Sequence, residues 1–487
     1  MNDRIQRLGL ILGVGFCLLL AALTRLQVVD ASKLSNDPRN TRALTASFSA
    51  DRGSIQTADG VLLARSVPAS DEFKRQRQYP EGPVFAPVTG YLSFTFGADG
   101  AERAFNDALT GGGSLPKGDD ALRQLFQHQH ATRDVTLTIN AAVQRVAATA
   151  LGTRRGAVVA LNPTTGAILA LASYPSFDPN PLAAHSQDAV RAAWNTLQND
   201  ASHPLLPRGY RESYPPGSTF KVVTASAAFD HKPDITTKVY PTLNALPLPH
   251  SGGLSLHNFG GEHCGGNIAE MIRISCNTGM ASVGLDVGGD GMAAEAQAFG
   301  FGTKPPLDLP ATAVSHFPAA AEFTRNEPAL AFDSIGQQNV SATPLQMALI
   351  AAGIANGGVI MTPHVLDHTS DAQGNVIDTY KPHEWRTATS GATAAVIKQM
   401  MIDVARRGTA TRAQIAGIVV AAKTGTAQTG KEANHAHAWL IAFAPAEAPK
   451  IAVAVIVEDQ SGLGDTATGG RVAAPIAQQV MRVALGL

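Results

Sequence analysis

Continuous apolar runs occur in two distant parts of this chain. Residues 156–162 and 167–172, GAVVALN and AILALA, lie on either side of a turn from Pro163 to Gly166. Residues 417–427, 437–444 and 450–458 form three more runs: GIVVAAKTGTA, HAWLIAFA and KIAVAVIVE. Runs without polar alternation are typical of strands buried on both faces. Because helical patterns fill the middle, we predict an α+β fold with one sheet built from distant segments and sandwiched by helices.

Capping residues predict where several helices begin. Asn140 precedes the helical pattern AAVQRVAATAL and can cap it. Thr343 as N-cap, Pro344 at the first helical position and Gln346 two residues later form a capping box. This box starts an amphipathic core helix that two glycines end, and the pattern does not indicate a membrane span. A last helix is predicted over Ala473–Leu485.

The N-terminus predicts a membrane anchor. An uncharged, leucine-rich stretch lies between Arg7 and Arg25. We assign residues 8–25 to a transmembrane helix and residues 1–7 to a cytoplasmic tail, because Arg4 and Arg7 precede the stretch. The rest of the chain is then extracytoplasmic. A cleaved signal peptide is the alternative, although no clear cleavage site follows the stretch. A mature N-terminus near Asp30 would contradict the anchor.

Residues 30–134 predict a small N-terminal pedestal or interaction domain. The segment is polar and mixed, with a hairpin turn at Asp59 and a helix over Ala101–Leu109. Lys74, Arg75 and Arg77 are interpreted as a solvated face. Residues 135–487 contain the buried runs and all the candidate chemistry, so they form the second predicted domain.

A candidate nucleophile begins the central helical region. Ser218 follows a chain-breaking Pro-Pro-Gly, and TFKVVTASAAF then indicates a helix, so Lys221 lies one turn later on the same face. A serine hydroxyl needs a base, and Lys221 can serve only with a depressed pKa. Ser114 and Lys117 have the same spacing, but Pro116 lies between them and no apolar helix follows, so we interpret that match as accidental.

Two further motifs complete the constellation. Ser275 and Asn277 flank Cys276 between two helical patterns, where an extended turn can direct both side chains into one cleft. Ser275 can relay a proton, and Asn277 can hold a substrate amide or orient the lysine.

The third motif, Lys423-Thr424-Gly425-Thr426, ends an apolar run that indicates a strand. Thr424 and Thr426 can bind a carboxylate, Lys423 supplies positive potential, and Gly425 leaves room for a substrate along the strand edge. The backbone N–H groups of Ser218 and Thr426 are the candidate oxyanion donors.

The remaining composition narrows the class of protein. The net charge is −1, which gives no indication of nucleic-acid binding. Cys17 lies in the anchor, whereas Cys264 and Cys276 lie in the exported part; they are either buried thiols or, in an oxidising compartment, a candidate disulfide. Too few ligands surround them for a zinc site, and we predict no metal.

Together these motifs make the chain resemble a class B penicillin-binding protein, most closely the actinobacterial penicillin-binding protein A group. The resemblance rests on SYPPGSTFKVVTA, ISCNTGM, DSIGQQNVSATPLQMALIAAGIANGG and AAKTGTA, and more loosely on DRGSIQTADGVLLA. It implies the penicillin-binding, serine β-lactamase-like fold: a central antiparallel sheet between helices, plus an all-α subdomain. The S-x-x-K, S-x-N and K-T-G set is shared by both enzyme groups.

The resemblance also implies a peptidoglycan D,D-transpeptidase without cofactors. Ser218 would attack the penultimate D-Ala of a stem peptide, release the terminal D-Ala and pass the acyl group to a neighbouring amine. β-Lactams would trap Ser218. The pedestal is too short for a glycosyltransferase domain, which implies a partner such as a glycan polymerase of the SEDS type and other wall-synthesis proteins.

Two other functions stay open at this point. One is hydrolysis, by a D,D-carboxypeptidase or a β-lactamase, although no deacylating acid can be assigned between Asn180 and Arg208. The other is a catalytically silent scaffold of the wall-synthesis machinery, against which the three intact motifs argue.

Overall fold

A computed structural model describes residues 2–25, 48–49, 51–111, 132–324, 326–428, 436–458 and 468–487. Its central feature is a five-stranded antiparallel sheet. Part of the predicted pedestal and the Ser114 motif lie outside the described residues.

The strands are β1 Ile55–Gln56, β2 Leu62–Pro68, β3 Arg75–Gln78, β4 Leu92–Ser93, β5 Gly97–Ala98, β6 Asp134–Leu137, β7 Gly156–Leu161, β8 Ile168–Tyr174, β9 Tyr240–Leu243, β10 Ala245–Pro247, β11 Ser255–His257, β12 Cys264–Gly266, β13 Val359–Met361, β14 Leu366–Ser370, β15 Val376–Thr379, β16 Glu384–Thr387, β17 Ala421–Gln428, β18 Ala436–Ala444 and β19 Ile451–Val457.

The helices are α1 Asn2–Thr24, α2 Ala86–Thr89, α3 Gly100–Ala104, α4 Asn106–Thr110, α5 Ala141–Leu151, α6 Gln187–Asn199, α7 Arg208–Arg211, α8 Lys221–His231, α9 Ile268–Ile274, α10 Asn277–Ala298, α11 Ala320–Phe323, α12 Glu327–Asp333, α13 Pro344–Ala355, α14 Gly391–Arg407 and α15 Gly469–Ala484. Short 3₁₀ turns include Gly217–Thr219, which leads into α8.

The central sheet has the order β17-β18-β19-β7-β8, so strands from distant parts of the chain pair as the apolar runs predicted. Every residue of β7 and β19 is buried, because helices cover both faces. Helices α5 and α15 pack against each other and the sheet, while α13 packs on β7, β18 and β19. Strand β17 is at the edge of the sheet, and it carries the Lys423 motif.

Helix α13 begins where it was predicted, but its surroundings differ from the prediction. Thr343 accepts the N–H of Gln346 at 3.0 Å, which makes it the N-cap. The Gln346 amide does not close the capping box; it donates to the Phe299 carbonyl at 2.7 Å. All residues of α13 are buried, so the prediction of an amphipathic helix was wrong. The alanine-rich helix is surrounded by the sheet on one side and by other helices elsewhere.

A second, six-stranded sheet joins the N-terminal region to later segments, in the order β15-β14-β6-β1-β2-β3. Gly60, at φ +80°, lies in the predicted turn between β1 and β2. The predicted helix over Ala101–Leu109 is two short helices, α3 and α4, with Phe105 between them.

The interpretation of Arg77 as solvated was wrong. Its side chain is buried, and its Nε donates to Glu102 Oε1 at 2.6 Å. Glu102 also accepts from Arg52 Nε at 2.8 Å. Burial alone would raise the pKa of Glu102, but the two guanidinium groups outweigh burial and lower it. A buried charge needs partners of this kind, which the sequence spacing does not reveal.

The chain divides into two compact units. The smaller contains residues up to 51 and 66–76, including α1 and an ion pair of 2.6 Å between Arg75 and Asp51. Within α1, residues Gln6–Thr24 are apolar and long enough to cross a membrane. The larger unit, residues 52–65 and 77–487, contains the sheet and every candidate site residue.

Candidate active site

Ser218 lies where a 3₁₀ turn meets helix α8. The turn covers Gly217–Thr219, and α8 begins at Lys221, so the serine precedes the α-helix by three residues instead of starting it. Gly217 has φ +53°, and a Cβ there would come within 2.7 Å of the Thr426 carbonyl oxygen. Only glycine permits this conformation and approach. Gly217 therefore brings the Ser218 turn against the Lys423 strand.

Lys221 is fully buried and bonds to the second motif. Its Nζ donates to the Ser275 carbonyl and to Asn277 Oδ1, both at 2.7 Å. Burial, and secondarily the charge of Lys423, hold the pKa of Lys221 well below its usual range. A neutral amine has two N–H donors and one lone pair. The two acceptors can take both donors and leave the lone pair for a proton from the serine hydroxyl.

Ser275 connects the two lysines. It ends helix α9 in the left-handed conformation, φ 64°, and not in the extended turn that was predicted. A non-glycine residue pays a small conformational cost for this geometry. Its carbonyl accepts from Lys221, while its Oγ accepts from Lys423 Nζ at 2.8 Å. A single residue thus touches the ammonium or amine groups of the first and third motifs.

Lys423 is the second buried lysine of the site. Besides Ser275 Oγ, its Nζ donates to the Thr424 carbonyl at 2.9 Å. Burial lowers the pKa of Lys423 to about 7. Both lysines contact Ser275, and among the described residues neither is paired with a carboxylate, so both are costly to keep charged. An anionic ligand would offset this cost, so the site favours binding of an anion.

The rest of the third motif shows both expected and unexpected features. Thr426 is partly exposed on β17, whereas Thr424 is buried and its hydroxyl bonds to Thr409 Oγ1 at 2.5 Å. Gly425 has a packing reason that sequence reasoning missed. A Cβ there would lie 2.9 Å from the Pro216 carbonyl oxygen and 3.0 Å from Thr219 Cγ2. Gly425 lets the Ser218 turn lie against β17.

Hydrogen bonds from a neighbouring segment hold the backbone around the two candidate oxyanion donors, the N–H groups of Ser218 and Thr426. The Gly217 N–H donates to the Gly336 carbonyl at 2.8 Å, and Gln337 Nε2 reaches the Thr426 carbonyl at 3.4 Å. Gly336 and Gln337 belong to the segment DSIGQQN, which resembles the family but to which the sequence assigns no function. The segment links the backbone of the Ser218 turn to that of β17.

Asn258 and Thr409 are further residues that the motifs did not point to. Asn258 is buried beside α10, and its Oδ1 accepts the N–H of Asn277 at 3.0 Å. Thr409 follows helix α14 and holds the Thr424 hydroxyl. The sequence signal for Asn258 is weak, since asparagine before glycines is typical of turns.

The structure joins Cys264 and Cys276 by a disulfide bond, with both sulfurs buried. Cys264 lies on β12 and Cys276 lies between Ser275 and Asn277. The bond therefore ties the second motif to a neighbouring strand. Among the described residues, no group of three His, Cys, Asp or Glu side chains could hold a metal ion.

We expect the double substitution Cys264→Ala/Cys276→Ala to lower the free energy of unfolding by about 3 kcal/mol, because it frees a short closed loop in the unfolded chain. Denaturant unfolding of the full-length protein in detergent measures this difference. Cys17→Ala, at the exposed cysteine of α1, is the control. Unchanged unfolding of the double variant would contradict the disulfide. So would three reactive thiols in the denatured, unreduced protein, where the disulfide leaves one, Cys17.

Comparison with known proteins identifies the family. Residues 156–482 match the family described as the penicillin binding protein transpeptidase domain. The chain belongs to this family. Residues 52–135 match a second family, the penicillin binding protein A dimerisation domain.

The relatives agree with this membership. The peptidoglycan D,D-transpeptidase PbpA of Mycolicibacterium smegmatis is 40% identical over 100% of this chain and 99% of the relative. The protein of the same name from Mycobacterium tuberculosis is 38% identical over the same shares. The solved ceftriaxone acyl-enzyme complex of penicillin-binding protein A from M. tuberculosis has a TM-score of 0.83 and 37% identity, covering 91% of this chain and 100% of that one.

These matches confirm the predicted family, its penicillin-binding protein A group, the fold class and the class of enzyme, a serine-type D,D-transpeptidase. The individual site residues remain predictions. The structure brings Lys221, Ser275, Asn277 and Lys423 into one hydrogen-bonded network, with Ser218 and Thr426 on adjoining backbone segments.

Proposed function

We propose that the protein is a peptidoglycan D,D-transpeptidase whose nucleophile is Ser218. The Ser218 hydroxyl attacks the penultimate D-Ala carbonyl of a stem peptide while the Lys221 amine takes its proton. The backbone N–H groups of Ser218 and Thr426 stabilise the oxyanion. Breaking the peptide bond releases the terminal D-Ala, whose amine receives the proton through Ser275. β-Lactams acylate the same hydroxyl.

The observation that carries this proposal is the contact of Ser275 with both lysines, 2.7 Å from Lys221 through its carbonyl and 2.8 Å from Lys423 through its hydroxyl. A base with a lowered pKa, a relay hydroxyl and a cation are what acyl transfer from a carboxylate-ended peptide requires. Each proton transfer occurs between side chains of this chain and the substrate, so we propose no cofactor.

Substrate binding is proposed for the third motif. Lys423 and Thr426 bind the terminal carboxylate. Thr409 can donate its proton to Thr424, which leaves the Thr424 hydroxyl proton for the same carboxylate. The peptide backbone of the substrate lies along the edge strand β17, which has a partner strand on one side, β18. Asn277 holds a substrate amide and orients Lys221.

The second step passes the acyl group from Ser218 to the amine of a neighbouring stem peptide. Hydrolysis is the alternative outcome of the same intermediate. Between residues 180 and 208, both acids, Asp188 and Asp200, are exposed, and neither is buried in a manner suited to activating water. This arrangement favours transfer to an amine.

The test is product analysis with a stem pentapeptide that ends in D-Ala-D-Ala, with and without an acceptor amine. Transpeptidation predicts a new amide that contains the acceptor and one D-Ala released for each amide formed. Release of D-Ala at the same rate without any acceptor product would instead assign a carboxypeptidase. An inert protein with an intact fold would favour a scaffold.

We expect binding of a carboxylate ligand to take up a proton at Lys423. Burial lowers the pKa of this lysine to about 7 in the empty site, and a bound carboxylate favours the ammonium form and raises the pKa again. Binding should therefore weaken as the pH rises above this value. At a pH about one unit above the empty-site pKa, most of one proton should be taken up on binding.

Calorimetry in buffers of different ionisation enthalpy measures this uptake, with the D-Ala-D-Ala peptide and the Ser218→Ala protein, which cannot react. Lys423→Arg is the matched control, since arginine stays charged and should bind without proton uptake. Equal heats in all buffers for the lysine protein would contradict the assignment.

Location and partners form a further part of the proposal. Residues 8–25 anchor the protein in the cell membrane, with residues 1–7 cytoplasmic and the rest of the chain outside; the apolar stretch Gln6–Thr24 supports this assignment. Residues 30–134 act as a pedestal and residues 135–487 as the transpeptidase domain; the match of residues 52–135 to a dimerisation family supports an interaction function. Glycan polymerisation belongs to a SEDS-type partner, and co-purification from membranes tests that association.

A further inference from the structure

The helix that carries Asn277 lacks an ordinary N-cap. Cys276 occupies the N-cap position of α10, and its side chain makes no capping hydrogen bond. Its sulfur is bonded to Cys264 and lies 3.5 Å from the Thr278 hydroxyl, so it contacts that side chain and caps no first-turn N–H. Helices leave their first N–H groups without intrahelical partners, and buried groups of this kind need an acceptor. The first turn of α10 is therefore capped by something else.

Asn258 supplies the missing acceptor from a separate loop. Its Oδ1 accepts the N–H of Asn277 at 3.0 Å and the N–H of Thr278 at 2.9 Å. Its Nδ2 donates to the carbonyls of Leu243 at 2.7 Å and Glu262 at 2.9 Å. The same nitrogen lies 3.1 Å from Thr278 Oγ1. The amide is therefore held on both sides, by α10 and by the loops around it.

The cap formed by Asn258 affects the position of the base, Lys221, through one intermediate residue, Asn277. Asn277 is the first residue of α10, so its backbone position depends on how the helix begins. Its Oδ1 accepts from Lys221 Nζ at 2.7 Å. Its Nδ2 also donates to the His257 carbonyl at 3.2 Å, next to Asn258 in the chain. The 257–258 segment thus contacts both the backbone and the side chain of Asn277.

We propose that Asn258 is a positioning residue of the active site, which caps α10 in place of Cys276 and so holds Asn277 against Lys221. The inference rests on the proposed function, because it assigns Asn277 and Lys221 their parts in acylation. Within the described part of the chain, the hydrogen bonds of the Asn258 side chain go to residues 243, 262, 277 and 278 and not to Ser218 or Lys221. Its side-chain amide links three chain segments that meet behind the second motif: 243, 258–262 and 277–278.

The expected effect of Asn258→Ala is a slower acylation by benzylpenicillin. A catalytic group displaced by a fraction of an ångström to an ångström loses rate on the order of 10- to 100-fold. The full-length protein in detergent is used throughout. Amide exchange in a peptide that spans Asn277 and Thr278, measured by mass spectrometry, should become faster. Asn258→Ala should add little to the loss already caused by Asn277→Ala, because Asn258 acts through the contact of Asn277 with Lys221, which Asn277→Ala has removed.

The decisive comparison supplies the cap in another way. Serine at position 276 can accept a first-turn N–H, as Ser, Thr, Asp and Asn do at N-caps, whereas alanine cannot. Asn258→Ala is therefore compared in two disulfide-free backgrounds, Cys264→Ala/Cys276→Ser and Cys264→Ala/Cys276→Ala. We expect the rate loss to be at least severalfold smaller with serine. A side chain that only fills space or anchors residues 243 and 262 would show the same loss in both.

Equal losses in the two backgrounds would overturn the proposal, and so would acylation of Asn258→Ala at the unaltered rate. Failure of the proposed function has a different signature. In that case the unaltered protein would not be acylated, or its acylation would survive Ser218→Ala. The amide exchange of Asn277 and Thr278 would still report whether Asn258 caps the helix.

Discussion

The Ser218→Ala protein is expected to lose both acylation by penicillin and transpeptidation, by at least about 10⁴-fold. The alanine leaves no atom that can form the acyl bond, while the two lysines and Ser275 keep their contacts. What activity remains would come from binding and the oxyanion donors alone. Stopped reactions with a labelled penicillin, followed over time, measure the loss.

The chain contains its own control for this experiment. Ser114 and Lys117 repeat the spacing of Ser218 and Lys221, but with a proline between them and outside the described residues. Ser114→Ala should react like the unaltered protein. Loss of acylation in Ser114→Ala, or its survival in Ser218→Ala, would move the nucleophile elsewhere and refute the assignment.

The second large effect is expected for Lys221→Met, which should slow acylation by about 10²–10⁴-fold, the usual contribution of a general base. The same change should stabilise the fold. The folded protein holds the pKa of Lys221 far below that of the unfolded chain, chiefly through burial. Between the folded and the unfolded pKa the unfolded state therefore binds more protons, so Lys221 lowers the free energy of unfolding increasingly as the pH falls, and the full cost remains below the folded pKa. Methionine does not ionise, so Lys221→Met removes this cost.

The stabilisation has a definite pH dependence. The stabilisation by methionine should be largest at pH values below the folded pKa of Lys221. It should decrease as the pH rises above that value and fade as the pH approaches 10.5, the ordinary lysine value. Thermal unfolding at several pH values, together with acylation rates, measures both effects. Lys450→Met, at an exposed lysine before β19, should change neither. A Lys221→Met protein that is less stable and still reactive would show that Lys221 is not the buried base.

Much of the fold could be predicted because its signals are local. Continuous apolar runs identified the five strands of the central sheet, and Asn140 and Thr343 marked helix starts that the structure confirms. The three motifs likewise carried the family assignment, since acyl transfer needs these residue types at fixed spacings.

Other features depend on contacts between distant segments, and local patterns do not contain them. Arg77 looks solvated until Glu102 is placed beside it. The packing of Gly425 becomes visible only when the Ser218 turn is placed over it. The function of Asn258 becomes visible only when its side chain is seen to accept the first N–H groups of α10, which Cys276 leaves uncapped. In each case the partner lies far along the chain.

The most direct test of the central claim is the intact mass of the full-length protein after exposure to benzylpenicillin, followed by peptide mapping. The account predicts one penicilloyl group per chain, located on the peptide that contains Ser218, stable over the experiment and absent from Ser218→Ala. An adduct on another residue would contradict the account. Rapid disappearance of a Ser218 adduct would make the protein a β-lactamase instead of a transpeptidase.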